Sequence, residues 1–547
     1  MYILKSKNFL LCLYFILILL NSFIFSNINI LIFLTIFILN TTNFFLLSSI
    51  FLLICGFFKL LFIKNYKVFE IKKYSIFFCM NLMSFFLFNF LNISNLYSYY
   101  FLIYSFAWFG KELNIEFNLG LDNLGFIFIL LTLFLIPICS IISWKNISYN
   151  AKYFFLLFII LEILLINVFC AIDLLLFYIA FESILIPMYF LVGYWGSRER
   201  RMHAAFQFFL YTLGGSLLML SALIFCQLNF GSTNLFFSTN VLFSPYREII
   251  IWLCFFFAFA VKIPMMPVHI WLPEAHVESA TGGSVALAGI LLKLGTYGIL
   301  RFLIPLLPFG STYFTPSVYL ISLFGVFYAS LTTLRQVDLK KIIAYSSIIH
   351  MNYLMFGLFS LNIEGILGSL ILMIAHGFVS GGLFACVGIL YDRYHTRLQK
   401  PYGGLNYFMP IFSFFFLVFT LANISFPGSI NFIGEFLVLI GIFFKNFLVA
   451  FLIMFFMIFS TCYALWLYNK IFSGLAISNI FTQKLKFSGI FFSQSNLSRV
   501  FSINYTDLNI REFFTLIYFI VPVFYLGFNP INLIDLIEFN FLVLLQS

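Results

Sequence analysis

Long apolar stretches separated by short polar breaks recur from Phe9 almost to the C-terminus. A membrane-spanning helix needs about 20 mainly apolar residues, and these stretches have that length. Transmembrane β-strands would alternate apolar and polar residues over about ten positions, whereas the segment FFLLFIILEILLINVF (154–169) does not alternate. The pattern therefore predicts an all-α polytopic membrane protein with about fourteen transmembrane helices.

Individual spans can be delimited from Leu121 onwards, and the first apolar run is interpreted as a retained span. Residues 473–512 form the only long polar segment and are expected to be a surface loop. The predicted spans after Leu121 are 121–144, 152–170, 172–195, 203–229, 248–270, 281–304, 316–334, 342–361, 364–390, 406–440 (broken), 449–472 and 513–536.

Basic residues are concentrated in loops that are separated by even numbers of predicted spans. Such loops fall on one side of the membrane, which the positive-inside rule identifies as the matrix or cytoplasmic side. The net charge of +10 is therefore not interpreted as a nucleic-acid-binding surface. The clusters are Lys145 with Lys152, Arg198–Arg201, Arg335 with Lys340 and Lys341, Arg393 with Arg397 and Lys400, and Lys470.

Two apolar runs contain helix-breaking residues, FAVKIPMMPVHIWLP (259–273) and FPGSINFIGEF (426–436). Proline removes a backbone donor, and within a membrane the freed groups must be satisfied by protein or water. Broken helices at matching places are typical of transporters built from inverted repeats. We therefore predict two related units, over 152–304 and 316–472.

Four charged residues lie inside apolar runs: Glu182, Lys262, Lys293 and Glu435. Each costs about 2.5–3.5 kcal/mol near the bilayer centre, and such residues usually mark proton or ion paths. Desolvation favours the neutral form of a buried lysine and a nearby carboxylate favours the charged form, so a Glu–Lys pair is a switchable proton donor. We predict that Glu182 and Lys262 form this switch, with Lys293 as relay and Glu435 as exit group. Structural ion pairs between helices are the alternative.

Four histidines are candidate relay groups because imidazole titrates near neutrality. His350 and His376 lie in adjacent predicted spans, and His269 and His276 flank the WLPEA segment. A buried, hydrogen-bonded structural role remains the alternative for each. The HIWLPEAH segment lies in an apolar context and contains no cysteine, so no metal site is predicted there. Glu162 lies deep in its span and is a further candidate for the path.

Composition adds two expectations. The nine cysteines are isolated and none has iron–sulfur or zinc spacing, and no glycine-rich phosphate loop follows a strand, so no cofactor is expected in this chain. Hydrophobic residues make up 63% and charged residues 9%, with 83 Phe. The abundance of Phe, Ile, Asn and Tyr, whose codons are AT-rich, favours an AT-rich organellar genome.

Several motifs resemble one family. HIWLPEAHVESATGGSVALAGILLKLGTYG (269–298), FYIAFESILIPMYFLVGYWG (177–196) and LRQVDLKKIIAYSSIIHMN (334–352) are similar to the proton-antiporter-like membrane subunits of respiratory complex I, NADH:ubiquinone oxidoreductase. Glu435 stands where the sister subunits carry lysine, which favours the subunit 4 branch. The resemblance implies fourteen core helices in two inverted five-helix repeats, with Glu182, Lys262, Lys293 and Glu435 at the proton-channel positions. The segment LDNLG (121–125) departs from the family pattern and is expected to affect packing only.

The resemblance implies a function coupled to other chains. Electron transfer from NADH to ubiquinone, with FMN and iron–sulfur clusters, would take place in other subunits, and this chain would move protons. Expected partners are the sister antiporter-like subunits and membrane lipids, without nucleic acid, in the inner mitochondrial membrane. The alternatives are a subunit of a multi-subunit Na⁺/H⁺ antiporter and a purely structural membrane scaffold.

Five segments follow from these expectations. They are N-terminal transmembrane helices in 1–120, a first repeat with a preceding helix in 121–304, a second repeat in 305–472, a polar loop that looks like an insertion in 473–512, and a C-terminal helix with tail in 513–547.

Overall fold

The computed structural model describes residues 54, 56–65, 67–92, 102–108, 116–234, 243–474, 506–531 and 533–536. Spans predicted before residue 54 and most of the polar loop predicted at 473–512 lie outside these residues. The helices are α1 Val68–Asn92, α2 Asn123–Ile142, α3 Ala151–Cys170, α4 Leu174–Gly193, α5 Arg201–Phe230, α6 Pro245–Lys262, α7 Trp271–Glu278, α8 Thr281–Leu306, α9 Pro308–Tyr313, α10 Thr315–Arg335, α11 Leu339–Ser360, α12 Ile363–Tyr394, α13 Pro410–Asn423, α14 Ile430–Lys445, α15 Phe447–Phe472 and α16 Ile510–Phe528.

The predicted all-α membrane architecture is confirmed. Within the described residues, 10 helices are long and apolar enough to cross a membrane. One antiparallel pair of strands, β1 Leu102–Ala107 and β2 Glu116–Leu121, precedes α2 and was not predicted. Helix α8 ends at Leu306 and α16 begins at Ile510, so these helices extend beyond the boundaries predicted at 304 and 513.

Both predicted breaks are present. Helix α6 ends at Lys262 and α7 begins at Trp271, and α13 ends at Asn423 before α14 begins at Ile430. In the second break Gly428 has a φ of +98°, a conformation that glycine adopts without a Cβ penalty. The broken helices therefore lie where the proline-containing segments placed them.

The same order of elements occurs twice along the chain. Three helices, a broken helix and a further helix run from α3 to α8, and the same order runs from α10 to α15. The broken element is fourth in both series. This order agrees with the two-repeat hypothesis, and the inverted relation between the units stays a prediction.

Helix α12 is the centre of the bundle. Every residue of its most apolar 18-residue window is buried, and it packs against α11, α14 and α16. Because lipid cannot satisfy polar groups, a central helix of this kind is the place where polar side chains can be tolerated. His376 lies on this helix.

Several loops meet at the face that carries the basic clusters. Arg397 is 2% exposed and donates to the Val277 carbonyl and to the Ser197 hydroxyl, and burial lowers the pKa of its guanidinium. Arg198 lies 3.5 Å from the Asp338 carboxylate. The two halves of the chain are thereby joined at this face.

The position of Lys340 differs from the prediction that the basic residues of this face lie in loops. The sequence places it in a basic loop cluster, but it lies in the first turn of α11 and is completely buried. Its ammonium donates to the Ser279 carbonyl at 2.8 Å. A hydrogen bond to the end of α7 thus satisfies a charge that the sequence suggested was solvated.

Arg393 and Asp507 attach the C-terminal helix to the bundle. Arg393 donates to the Thr506 and Asp507 carbonyls and forms an ion pair with Glu512 of α16. The Asp507 carboxylate accepts from the backbone N–H groups of Ile411 and Phe412 at 2.9 and 3.2 Å, at the start of α13. Acidic groups are favourable at a helix N-terminus because they satisfy its free N–H groups.

The LDNLG segment does more than pack, which corrects the sequence interpretation. Asp122 accepts from the Gly125 N–H at 2.9 Å, so it caps α2. It also forms an ion pair with Arg301, and both side chains are only 1% exposed. Arg301 is thus a charge within the bundle that the inventory of four intramembrane charges omitted.

We expect that the variant Arg301→Met destabilises the protein by about 3–5 kcal/mol, because it leaves the Asp122 carboxylate buried without its cation. The double variant Asp122→Asn with Arg301→Met should recover a large part of the loss. Thermal unfolding of the purified protein in detergent measures both changes. Glu70→Gln is the control, since it breaks the exposed Lys67–Glu70 pair and should cost at most about 1 kcal/mol. Equal losses from the Arg301 and Glu70 variants would contradict the expectation.

Candidate functional site

Helix α8 has an irregular backbone around Lys293. A π-helical segment, Leu287–Leu291, precedes this lysine and a second one, Ile299–Leu303, follows it. A π-helical turn shifts the hydrogen-bond register by one residue. The Ala288 carbonyl accepts a hydrogen bond from the Lys293 ammonium at 2.5 Å. The irregular turn therefore provides a backbone partner for a charge that is completely buried.

Lys293 also contacts His376 of α12. The Lys293 Nζ and His376 Nδ1 atoms are 2.8 Å apart, and both side chains are buried. At this distance one of the two nitrogens must hold a proton that the other accepts. In this contact either an ammonium or a neutral amine donates to an unprotonated Nδ1, or a protonated Nδ1 donates to the neutral amine. This geometry allows a proton to be transferred between the two side chains.

The line continues from His376 to Glu435. The ring centroids of His376 and His350 are 5.7 Å apart, and His350 Nδ1 lies 3.3 Å from Glu435 Oε1. The backbone carbonyl of Glu435 accepts from the Tyr353 hydroxyl at 2.9 Å, which fixes α14 against α11. Four titratable side chains from α8, α12, α11 and α14 thus follow one another through the buried core. The sequence named these residues, but it did not order the two histidines between Lys293 and Glu435.

Close contact between α12 and α14 positions Glu435 for its contact with His350. A Cβ on Gly434 would lie 2.9 Å from the Leu372 backbone nitrogen, and one on Gly368 would lie 2.6 Å from that of Val438. Small residues let helix backbones approach closely in membranes. The glycine before Glu435 therefore holds this carboxylate next to α11 and α12.

Lys262 and Glu182 lie close enough to interact electrostatically, and their role as a switch stays a prediction. Lys262 Nζ lies 4.4 Å from the centre of the Phe181 ring. Glu182 is the residue after Phe181 and is only partly buried. A cation above an aromatic face is attracted by the ring quadrupole, so Phe181 stabilises Lys262 beside the carboxylate.

Lys262 also lies directly against α8. A Cβ on Gly295 would be 3.2 Å from the Lys262 Cβ and 3.1 Å from the Phe259 carbonyl. Gly295 is two residues from Lys293. The close passage of α6 and α8 at this glycine places Lys262 against the helix that carries Lys293, whose own side chain lies on another face, towards α12.

The other two candidate histidines lie outside this line. The ring of His276 stacks on Phe384 of α12 with centroids 4.5 Å apart, and neither of its nitrogens has a hydrogen-bond partner among the described residues. His269 lies edge-on to Tyr328, with centroids 5.6 Å apart. Neither geometry tests a role in proton transfer.

Glu162 is completely buried in α3 and accepts from the Cys79 thiol of α1 at 3.4 Å. No described contact joins it to the line from Lys293 to Glu435. Among the described residues, no cluster of three or more His, Cys, Asp and Glu could hold a metal ion.

Comparison with known proteins places this arrangement in a family. Residues 171–462 match the family described as NADH:quinone oxidoreductase/Mrp antiporter, TM. A relative from Arabidopsis thaliana is 52% identical over 431 residues, covering 79% of this chain and 83% of the relative. One from Marchantia polymorpha is 51% identical, covering 76% and 80%. Both relatives are named NADH-ubiquinone oxidoreductase chain 4.

Solved structures show the same architecture. A chain of respiratory complex I from Thermus thermophilus with bound NADH matches with a TM-score of 0.79 and 26% identity, covering 92% of this chain and 99% of that chain. A chain of the Mrp complex from Dietzia sp. matches with a TM-score of 0.74 at 17% identity, covering 90% and 52%, which shows the fold alone.

The fold and the sequence define a membrane protein of the antiporter-like class. The chain belongs to the NADH:quinone oxidoreductase/Mrp antiporter family, and within it to the chain 4 proteins of NADH-ubiquinone oxidoreductase.

We expect that Gly434→Ala pushes α14 away from α12 and lengthens the 3.3 Å contact between His350 and Glu435. The added methyl group meets backbone atoms of Leu372, so overpacking should also cost about 1–3 kcal/mol. A high-resolution structure and a melting curve of the variant measure these effects. Gly214→Ala is the matched control, since no atom lies within 4 Å of the added Cβ. An unchanged His350–Glu435 distance in Gly434→Ala would contradict the expectation.

Proposed function

We propose that this chain is a membrane-arm subunit of complex I that conducts protons through Glu182, Lys262, Lys293, His376, His350 and Glu435. The observation that carries the proposal is the buried succession from Lys293 to Glu435. Intramembrane ionisable groups are costly and usually mark ion or proton paths. Four such groups in sequence suit proton transfer better than helix association.

The lysine–histidine contact is the central step. A proton on Lys293 can pass across 2.8 Å to Nδ1 of His376. The imidazole can then release a proton from Nε2, so it moves charge across the ring without moving far itself. The Ala288 carbonyl accepts from Lys293 in the charged state and holds the amine in place.

The second step leads to the carboxylate. The 5.7 Å between the two ring centres is a separation that one bridging water or a ring rotation can span. His350 in its protonated form would be stabilised by Glu435, whose Oε1 lies 3.3 Å away. Glu435 then serves as the exit group, as the sequence predicted.

The first half of the path depends on a change in the electrostatic field that Glu182 exerts on Lys262. With Glu182 charged, Lys262 retains its proton beside the Phe181 ring. When Glu182 moves away or is neutralised, desolvation favours release of the proton from Lys262. Lys293, on the helix that α6 contacts at Gly295, is the proposed acceptor, and the proton reaches it through water.

The setting follows from the relatives. We assign the chain to the inner mitochondrial membrane, and we assign NADH oxidation, FMN, iron–sulfur clusters and ubiquinone to other subunits. The windows of α15 and α16 that can span a membrane are only 33% buried. These helices offer apolar surface to lipid or to sister antiporter-like subunits.

We expect that Lys293→Ala slows proton transfer through this subunit by about 10²-fold or more, because a positioned proton carrier is lost. The ratio of protons moved per NADH oxidised should fall in the assembled complex reconstituted in vesicles, and Glu182→Ala should do the same. Lys470→Ala is the control, as this exposed lysine lies over Trp466 at the end of α15. A normal ratio in an assembled Lys293→Ala complex would contradict the proposed role.

Two alternative functions predict different experimental results. The likeness to the Dietzia Mrp complex keeps a Na⁺/H⁺ antiporter subunit as the second candidate. Co-purification with flavin and iron–sulfur subunits would support complex I, and sodium-dependent proton exchange without them would support the antiporter. A purely structural scaffold would retain pumping when the charges of Glu182, Lys262, Lys293 and Glu435 are removed, and would lose only assembly.

A further inference from the structure

A polar pocket opens at the face that carries the basic clusters. It has a volume of about 480 Å³ and lies between the loop after α4, helix α7 and the start of α11. Three acidic and three basic side chains line it. The lining residues are Ser197, Arg198, Glu199, Arg200, Glu274, Val277, Glu278 and Lys341.

Glu278 differs from the other carboxylates of this pocket. Lys341 binds Glu274 at 2.9 Å, and Glu274 and Glu199 remain partly or largely exposed to solvent. Glu278 is only 2% exposed, and its Oε2 atom has no hydrogen-bond partner among the described residues. A buried carboxylate oxygen without a partner is costly unless it binds a proton, water or a cation.

The surrounding charges favour a proton over an anionic ligand. Two of the three basic residues already have carboxylate partners, Lys341 with Glu274 and Arg198 with Asp338. Little positive charge is left for a phosphate. Glu278 is therefore the buried carboxylate of this pocket whose oxygen can accept a proton.

A route leads inward from Glu278. The next residue is Ser279, whose carbonyl accepts from the buried Lys340 ammonium at 2.8 Å. Lys340 interacts electrostatically with Glu278, and His276 interacts with both Lys340 and Lys293. The four groups are thus within electrostatic range of one another, from the pocket to Lys293.

Helix α12 completes the connection. The His276 ring stacks on Phe384, which lies eight residues after His376 on the same helix. Ser380 lies between them on that face and donates to the His376 carbonyl at 2.5 Å. Eight residues correspond to about 12 Å along a helix. A few waters can carry a proton over this distance.

We propose that Glu278 is the group that takes up protons from the aqueous pocket and passes them to the central line through Lys340 and His276. A hydronium ion in the pocket transfers its proton to the carboxylate, which becomes a neutral carboxylic acid and leaves a water molecule. Lys340 gives its proton to the neutral His276 ring and is reprotonated by Glu278. Each step moves one proton and no electrons, and the proposal rests on the proton-conducting function proposed above.

Charge-removing variants of two carboxylates on one short helix test the proposal. In the assembled complex reconstituted in vesicles, Glu278→Gln should lower the ratio of protons moved per NADH oxidised as much as Lys293→Ala does. Glu274→Gln should leave the ratio unchanged, because Glu274 is already paired with Lys341. Glu278→Asp should restore pumping because it retains a proton-binding carboxylate. A normal ratio in Glu278→Gln, or an equal loss in Glu278→Gln and Glu278→Asp complexes that assemble normally, would overturn the proposal.

Labelling of the unmodified complex provides a test that needs no variant. A water-soluble carbodiimide with a small amine, applied from the basic face, should modify Glu278 as well as the exposed Glu199. Modification of Glu199 without any at Glu278, by a carbodiimide small enough to enter a pocket of about 480 Å³, would show that the pocket gives no access to this carboxylate, and would overturn the proposal even if Glu278→Gln failed to assemble.

The two levels of the proposal fail in different ways. If Lys293→Ala pumps normally, the proton-conducting function itself is wrong. If Lys293→Ala loses pumping and Glu278→Gln retains it, only the uptake role of Glu278 is wrong.

Discussion

A lysine that is completely buried among membrane helices must find its partners inside the protein, and Lys293 shows what this requires. The Ala288 carbonyl and His376 Nδ1 both bind its amine, and the first is available because α8 is π-helical just before it. In lipid, no water could replace either partner. Accommodating this charge requires the irregular turn of α8, the burial of α12 and close contacts between the helices.

The same requirement explains why several different devices stabilise charge in this bundle. Arg301 has a carboxylate partner, Lys262 an aromatic face, and Lys340 a carbonyl at the end of a short helix. A full ion pair fixes both members, because separating them leaves an uncompensated charge. A carbonyl, a ring or an imidazole binds more weakly and leaves the ammonium able to lose its proton. The strong pair therefore lies outside the proposed path, and the weaker contacts lie along it.

The sequence was sufficient for whatever depends on apolar length and on proline. The spans, both broken helices and the four intramembrane charges followed from those patterns. Contacts between distant segments could not be predicted, since nothing in the spacing places His376 against Lys293 or the Phe181 ring against Lys262. Arg301 was missed because a basic residue near the predicted end of a span usually extends to the interface. Its partner Asp122 stands at the start of the predicted span 121–144, where the sequence gave no sign of an ion pair.

The contacts of Arg393 and Asp507 allow the sequence between α15 and α16 to change during evolution. Together they bind α16 to α12 and α13 through side-chain and backbone contacts, so the covalent link through residues 475–505 is not what keeps the last helix docked. The closure entropy of a flexible loop rises only by about 0.6 kcal/mol for each doubling of its length. Segments of very different length and composition can therefore accumulate at this position while selection on the proton path stays the same.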